Sequence, residues 1–157
     1  MKVFAFLVMS MMFGLAHAQS SLESYIGRVC KSPCADISKV VAAVDMAATT
    51  YGLDKAMLLA IIHTESTFNK RARNGSSVGL MQVHIRYHLP KFEGHNLYGE
   101  FANIFAGARI LKDCSQRKGQ KQTVTKTLSC YNGGGTKGYA AKVQRKMKQF
   151  RPMVSVY

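Results

Sequence analysis

The sequence predicts a mainly α protein, a single compact helical domain with at most a minor β element. Three observations carry this. Apolar residues recur at helical spacing in five separate stretches. Most of these stretches are bracketed by residues that cap helices. One short apolar patch, Val78 to Val83, is the sole candidate for a strand. The length, 157 residues, fits one domain, and 47% hydrophobic residues suffice for a core. No fixed-period repeat points to a solenoid.

The elements follow in chain order. Met1-Lys2, the apolar run Val3–Leu15 and Ala16-His17-Ala18 form the pattern of a cleavable signal peptide over residues 1–18. The alternative is an uncleaved anchor, although the run is short for a membrane span. Export to the periplasm, or secretion, is therefore expected. Residues 19–35 read as irregular, with a Cys-Lys-Ser-Pro-Cys turn. Asp36 caps a helix carrying Ile37, Val40, Val41, Val44, Ala48 and Tyr51, which Gly52 ends. A second helix starts near Asp54, presents Met57, Leu58, Ile61, Ile62 and Glu65 on one face, and frays near Phe68-Asn69. Val78 to Val83 is a short strand or a tight turn into a helix, and 84–99 a long loop. A third helix runs from about Glu100 to Lys118, with Phe101, Ile104, Phe105, Ala108 and Leu111 as its stripe, and Gly119 ends it. Thr123 caps a shorter helix with Val124, Leu128 and Tyr131, broken by Gly133-Gly134-Gly135. The last helix, about Gly138 to Phe150, carries Val143, Met147 and Phe150, and Pro152 closes it. The main domain thus covers 36–151, with a tail at 152–157.

Cys30, Cys34, Cys114 and Cys130 form an even set in an exported chain, which suggests disulfides. Three connectivities are open. The favoured one pairs Cys30 with Cys34 across Ser32-Pro33 and Cys114 with Cys130 between two helices. The spacing is a poor match to structural zinc.

Glu65 is the acid that stands out. It follows the apolar run Leu58 to Ile62, shares a face with Leu58, Ile61 and Ile62, and lies at a helix C-terminus. Apolar surroundings and the helix dipole both raise a carboxyl pKa, as a general acid near neutral pH requires. A solvated surface glutamate is the plain alternative.

Four segments decide between them. Ile61-Ile62-His63-Thr64-Glu65-Ser66-Thr67-Phe68-Asn69 is followed by Gly79-Leu80-Met81-Gln82-Val83. Asn103-Ile104 with Gly107 comes next, then Ser129-Cys130-Tyr131-Asn132-Gly133-Gly134. In this order, over about residues 36–150, they resemble the soluble lytic transglycosylase domain, a lysozyme-like family that cleaves peptidoglycan. The size resembles the small transglycosylases that serve secretion, conjugation or phage machinery. The resemblance implies an α+β lysozyme-like fold with a substrate cleft. It implies Glu65 as the single catalytic acid/base, with Ser66 orienting or hydrogen-bonding near it. Gln82 and Met81 would line the sugar cleft, Tyr131 would lie close to Glu65, Asn132 in the following turn, and Tyr139 matches a later family tyrosine. Cys130 stands in place of a small alanine, Lys70 in place of a proline, and Asn74 or Ser76 about where a serine is usual.

The mechanism this implies needs one carboxyl, no cofactor and no metal. Glu65 protonates the oxygen between N-acetylmuramic acid and N-acetylglucosamine. The 2-acetamido group helps stabilise C1, and Glu65 then deprotonates the sugar's own 6-hydroxyl, which closes on C1 as a 1,6-anhydro ring. A lysozyme-type hydrolase would need a second acid, for which Glu93 and Glu100 are the candidates. Asp54 and Asp113 read as helix-surface positions.

A net charge of +14 suits a protein held near an anionic wall. Nucleic-acid binding through Lys142–Arg151 is the rival reading. Its apolar residues fall at helix spacing, so no nucleic-acid partner is expected. A non-catalytic wall-binding protein is a third. His84 and His88 are spaced i, i+4, with His95 nearby, but a third ligand on the same element is missing. His63 points away from the Glu65 face. With no tryptophan, sugar stacking falls to Tyr87, Tyr98, Tyr131 and Tyr139. The chain is expected to act as a monomer on glycan strands.

Overall fold

The structure, a computed structural model, describes residues 21–88, 94, 96–117, 123–134 and 136–154, without the side chains of Tyr87 and His88. The signal-peptide segment, Glu93, His95, Gly119, Gly135 and residues 155–157 lie outside the described residues.

Helix α1 covers residues 21–29, within a segment expected to be irregular. Leu22, Tyr25, Ile26 and Val29 recur at i, i+3, i+4 and i+7. Leu22 and Ile26 are buried in the core, and Tyr25 and Val29 pack against it. The Tyr25 ring meets Phe150 edge-on at 5.3 Å.

Helix α2 (Ile37–Tyr51) opens where Asp36 accepts the Lys39 amide and closes at Gly52. Gly52 is left-handed, with φ 61°, and its N–H donates to Ala48. Helix α3 (Lys55–Glu65) is capped by Asp54, which accepts from the amides of Ala56 and Met57. Every residue from Ala56 to His63 is buried, so α3 is the central helix.

Three two-residue strands follow: β1 (Arg73–Asn74), β2 (Ser77–Val78) and β3 (Val83–His84). They pair antiparallel in that order, with Asn74 opposite Ser77 and Val78 opposite Val83. The loop expected over 84–99 begins with a helical turn, α4 (Ile85–His88). Ile85 packs on a small second cluster of Val78, Val83, Leu97 and Ala106, which explains why the chain coils there.

Helices α5 (Glu100–Ser115), α6 (Val124–Tyr131) and α7 (Tyr139–Val154) complete the domain. Thr123 caps α6 through the Lys126 amide. Two expectations change here. Phe101 stays 39% exposed, because the buried face of α5 runs through Asn103, Ile104, Gly107, Ala108 and Leu111. Pro152 sits inside α7 instead of closing it. Met153 and Val154 pack against the core, which holds the final turn despite the missing amide.

The long helices form a closed ring. α3 packs on α7 and α2, α2 on α5, α5 on α6, and α6 on α7. Disulfide Cys114–Cys130 ties the end of α5 to α6. Disulfide Cys30–Cys34 closes the short loop after α1.

Candidate active site

A cleft of about 620 Å³ opens at the C-terminal end of α3. Glu65 lies in it. One wall is the small sheet and its turn, with Asn74, Ser77, Gln82, Val83 and His84. The other is the end of α5, with Ile110, Asp113, Cys114 and Arg117, and the end of α6, with Cys130, Tyr131, Asn132 and Gly133.

Glu65 is positioned by the way the chain leaves α3. The Ser66 hydroxyl donates to the Ile62 carbonyl at 3.0 Å, and its amide does the same. Thr67 and Phe68 then adopt left-handed backbone, with φ 51° and 60°. This is an unfavourable conformation for side-chain-bearing residues, so something must hold it. Phe68 is fully buried, and the Cys30–Cys34 loop grips the backbone. Lys31 N–H donates to the Thr67 carbonyl and Ala35 N–H to the Phe68 carbonyl, both at 3.0 Å. Lys70 N–H and the Asn69 amide group reach back to the carbonyls of Pro33 and Ser32.

The facing turn is held by Asn103, which is fully buried on α5. Its Nδ2 donates to the carbonyls of Val78 and Leu97 at 2.9 and 2.7 Å, and its Oδ1 accepts the Met81 amide at 2.7 Å. Gly79 has φ 76°, and a Cβ there would lie 2.6 Å from the Leu97 carbonyl oxygen. Glycine is therefore required on both counts. Gln82 also has positive φ, 49°, and its Nε2 ties back to the carbonyls of Ala72 and Gly79.

Two tyrosines lie beside Glu65. Tyr139 Oη donates to Glu65 Oε1 at 2.6 Å. Tyr131 Oη donates to the Met81 carbonyl at 2.7 Å. Burial raises the Glu65 pKa, opposed by the Tyr139 hydrogen bond and the Lys142 charge. Burial and the Glu65 carboxylate hold both phenols well above their ordinary value, so each stays a donor across the physiological range. The result is a desolvated carboxyl with a fixed donor on one oxygen, able to give up and retake a proton on the other.

Over residues 42–154 the sequence matches the family model described as the transglycosylase SLT domain. The chain belongs to this family. A transglycosylase of Enterobacteria phage PRD1 is 31% identical to this SLT domain chain over 108 residues, 63% of this chain and 39% of that protein. The chain thus spans about two fifths of that relative's length.

The SLT fold brings Glu65, Gln82, Tyr131 and Asn132 to one cleft. Asn132 caps α6, and its Oδ1 accepts the Thr136 amide. Met81 is a correction, since it is absent from the cleft wall and fully buried. Its side chain fills the space over Gly107, where an added Cβ would come within 2.7 Å of the Met81 Cβ, and its carbonyl alone serves the site. Tyr139 is buried, with its hydroxyl on Glu65, so it is not a stacking platform. Tyr98 is 40% exposed and lies outside the cleft wall. Asn74 reaches the wall, while the Ser76 carbonyl accepts the Ile85 amide.

The acids also change places. Glu100 accepts the Asp36 amide at 3.2 Å and does not line the cleft. Asp113, expected on the helix surface, does line it. Ser77, Asp113 and Arg117 line the cleft without having been expected there. For the last two a signal existed: Ile110, Asp113, Cys114 and Arg117 share one helical stripe, and Cys114 is disulfide-bonded to the residue before Tyr131.

Proposed function

We propose that this SLT domain is a peptidoglycan lytic transglycosylase. It would cleave the bond between N-acetylmuramic acid and N-acetylglucosamine and leave a 1,6-anhydro end. The observation that carries the reading is Glu65 in the cleft wall with the buried Tyr139 hydroxyl bonded to it. Tyr139 donates to Oε1, so the proton that Glu65 delivers to the glycosidic oxygen rides on Oε2. Burial raises the carboxyl pKa, the direction a general acid requires. Once it has left, Tyr139 and Lys142 steady the carboxylate, which then takes the 6-hydroxyl proton as the ring closes. Attack from within the same sugar has the advantage of proximity, so one carboxyl serves both steps. Tyr131 spends its own proton on Met81, so its oxygen meets the substrate as an acceptor.

The test is Glu65→Gln, assayed on purified peptidoglycan with the fold checked by circular dichroism. Cleavage should fall at least about a thousandfold. A rate within about tenfold of wild type would contradict the assignment.

Asp113 in the cleft wall favours a second reading, a lysozyme-type hydrolase with Asp113 as the other carboxylate. The products separate the two. In both readings the chain is exported by its signal-peptide-like segment and works in the periplasm, a location the two disulfides support. Its task there would be local wall opening around a secretion, conjugation or phage apparatus, a role with which the phage relative agrees.

A further inference from the structure

Glu65 is the last residue of α3, so its place depends on how that final turn is finished. The carbonyls of Ile62 and His63 are met by the chain leaving the helix. The Ser66 amide and hydroxyl donate to Ile62, and the Thr67 hydroxyl donates to His63. The next stretch, Thr67 and Phe68, is left-handed, with φ 51° and 60°. Side-chain-bearing residues keep that conformation only where their surroundings impose it.

The Phe68 ring is anchored in the core, but its backbone is held by the loop that Cys30–Cys34 closes. Lys31 N–H donates to Thr67, Ala35 N–H donates to Phe68, and Pro33 accepts from Lys70 N–H. Cys34 bridges Asn69, and the Cys30 sulfur lies 3.4 Å from the Phe68 carbonyl oxygen. Lys31, Ser32, Pro33 and Cys34 are all exposed, so no buried side chain anchors the loop between its cysteines. An open chain there would have to be ordered by the same hydrogen bonds it lends to the turn. Cys114–Cys130 differs on both counts. Cys114 is buried, and the disulfide joins α5 and α6, which already pack together.

We propose that Cys30–Cys34 is a redox-controlled positioning element for Glu65. Closed, it fixes the exit of α3 and so holds the carboxyl against Tyr139; opened by a dithiol, it lets the last turn fray and disarms the cleft. The opening step is thiol–disulfide exchange. A thiolate of the dithiol attacks the exposed Cys34 sulfur, and Cys30 leaves as a thiolate that takes up a proton. The second thiolate of the dithiol attacks the mixed disulfide and releases Cys34, which is protonated in turn. The protein gains two electrons and two protons, and the dithiol becomes a disulfide. That the positioned carboxyl is the catalytic acid rests on the transglycosylase reading.

The experiment compares the full chain oxidised, after graded reduction with dithiothreitol, and as Cys30→Ser/Cys34→Ser. Alkylation and mass spectrometry of aliquots locate the thiols. Misplacement by about 1 Å can cost about a hundredfold, so kcat should fall at least about tenfold as Cys30 and Cys34 open, ahead of Cys114 and Cys130. KM should stay within about twofold, and reoxidation should restore the rate. The place of Glu65 is read separately, from the ¹³C shift of its carboxyl against pH. In the closed form burial raises its pKa against Tyr139 and Lys142. A carboxyl released to water should titrate lower, and the alkaline limb of the rate profile should follow it downward. A structural role alone would lower the melting temperature and move neither. Full kcat with Cys30 and Cys34 reduced overturns the proposal, as does a lower kcat with the Glu65 titration unmoved. Should the double serine variant not fold, graded reduction of the wild-type chain decides by the same two readouts. Should the titration move while the oxidised chain releases no anhydro products, the catalytic reading fails and the positioning stands.

Discussion

Glu65 owes its behaviour to three neighbours of different kinds. The buried run from Ala56 to His63 strips it of water and raises its pKa, while the Tyr139 hydroxyl and the Lys142 ammonium pull the other way. Tyr139→Phe removes one of the two opposing influences. The Glu65 pKa then rises further, and the alkaline limb of the pH–activity profile moves to higher pH. Turnover at neutral pH should fall about tenfold to a hundredfold, because the carboxylate formed in the first step loses a charge-assisted hydrogen bond worth about 1.5–3 kcal/mol. An unshifted alkaline limb would mean that the rate is not controlled by this carboxyl. The role of Glu65 is legible in sequence because its apolar flank is local. That of Tyr139 is not, since 74 residues separate the pair.

Among the elements, α5 and α3 bear most of the site. Asn103 on α5 satisfies three backbone groups of the opposing turn and its flank at once. Asn103→Ala leaves the Met81 amide and the carbonyls of Val78 and Leu97 unpaired in a dry interior. Chemical denaturation should show a loss of about 3 kcal/mol or more. On α3, His63 is 9% exposed between Tyr25, Phe68 and Phe150, and its ring nitrogens lie 3.0 and 3.3 Å from the Lys146 ammonium. Burial, then the charges of Lys146 and Lys142, lower its pKa to about 4. The unfolded chain holds the histidine proton up to about pH 6.5, so it binds more protons than the folded chain between these values. Stability is therefore full above about pH 6.5 and is lost as the pH falls toward 4, by at most about 3 kcal/mol. The raised pKa of Glu65 acts in the opposite sense, making stability fall as pH rises through its titration. The difference between wild type and His63→Leu isolates the histidine contribution. Equal acid sensitivity in the two would contradict a neutral buried His63.

Caps and breakers made these elements readable. Asp36, Gly52, Asp54 and Thr123 act within one turn of helix, so their signals are local. Helix α1 escaped because only Leu22 and Ile26 are buried, in a stretch that ends in Ser-Pro between cysteines. Met81 misled because a motif residue need not face its ligand; the turn offers its carbonyl and hides its side chain. Asp113 misled for the opposite reason. Its i,i+4 partner Arg109 makes it look like an ordinary solvated helix pair, and only the ring of helices turns that face into a cleft wall.

At the scale of the molecule, the ring α3–α2–α5–α6–α7 brings Glu65, Tyr131 and Tyr139 from three helices to one place. The ring is fastened beside the cleft by Cys114–Cys130 and under Glu65 by the Cys30–Cys34 loop. The chain carries a net charge of +14, and Lys142, Arg145 and Lys148 are exposed on α7. On the proposed function, such a charge would concentrate the protein at an anionic wall, an attraction that salt screens. Affinity for whole wall sacculi should therefore weaken as salt rises from about 50 to 300 mM, while turnover of short soluble fragments changes little.

The proposed chemistry is tested most directly by mass spectrometry of the products released from peptidoglycan in ¹⁸O-labelled water. Closure by the 6-hydroxyl consumes no water. The products should be 1,6-anhydro muropeptides without label. Labelled reducing ends, about 20 Da heavier, would show that water attacks C1 and would make this SLT domain a hydrolase with a second carboxylate.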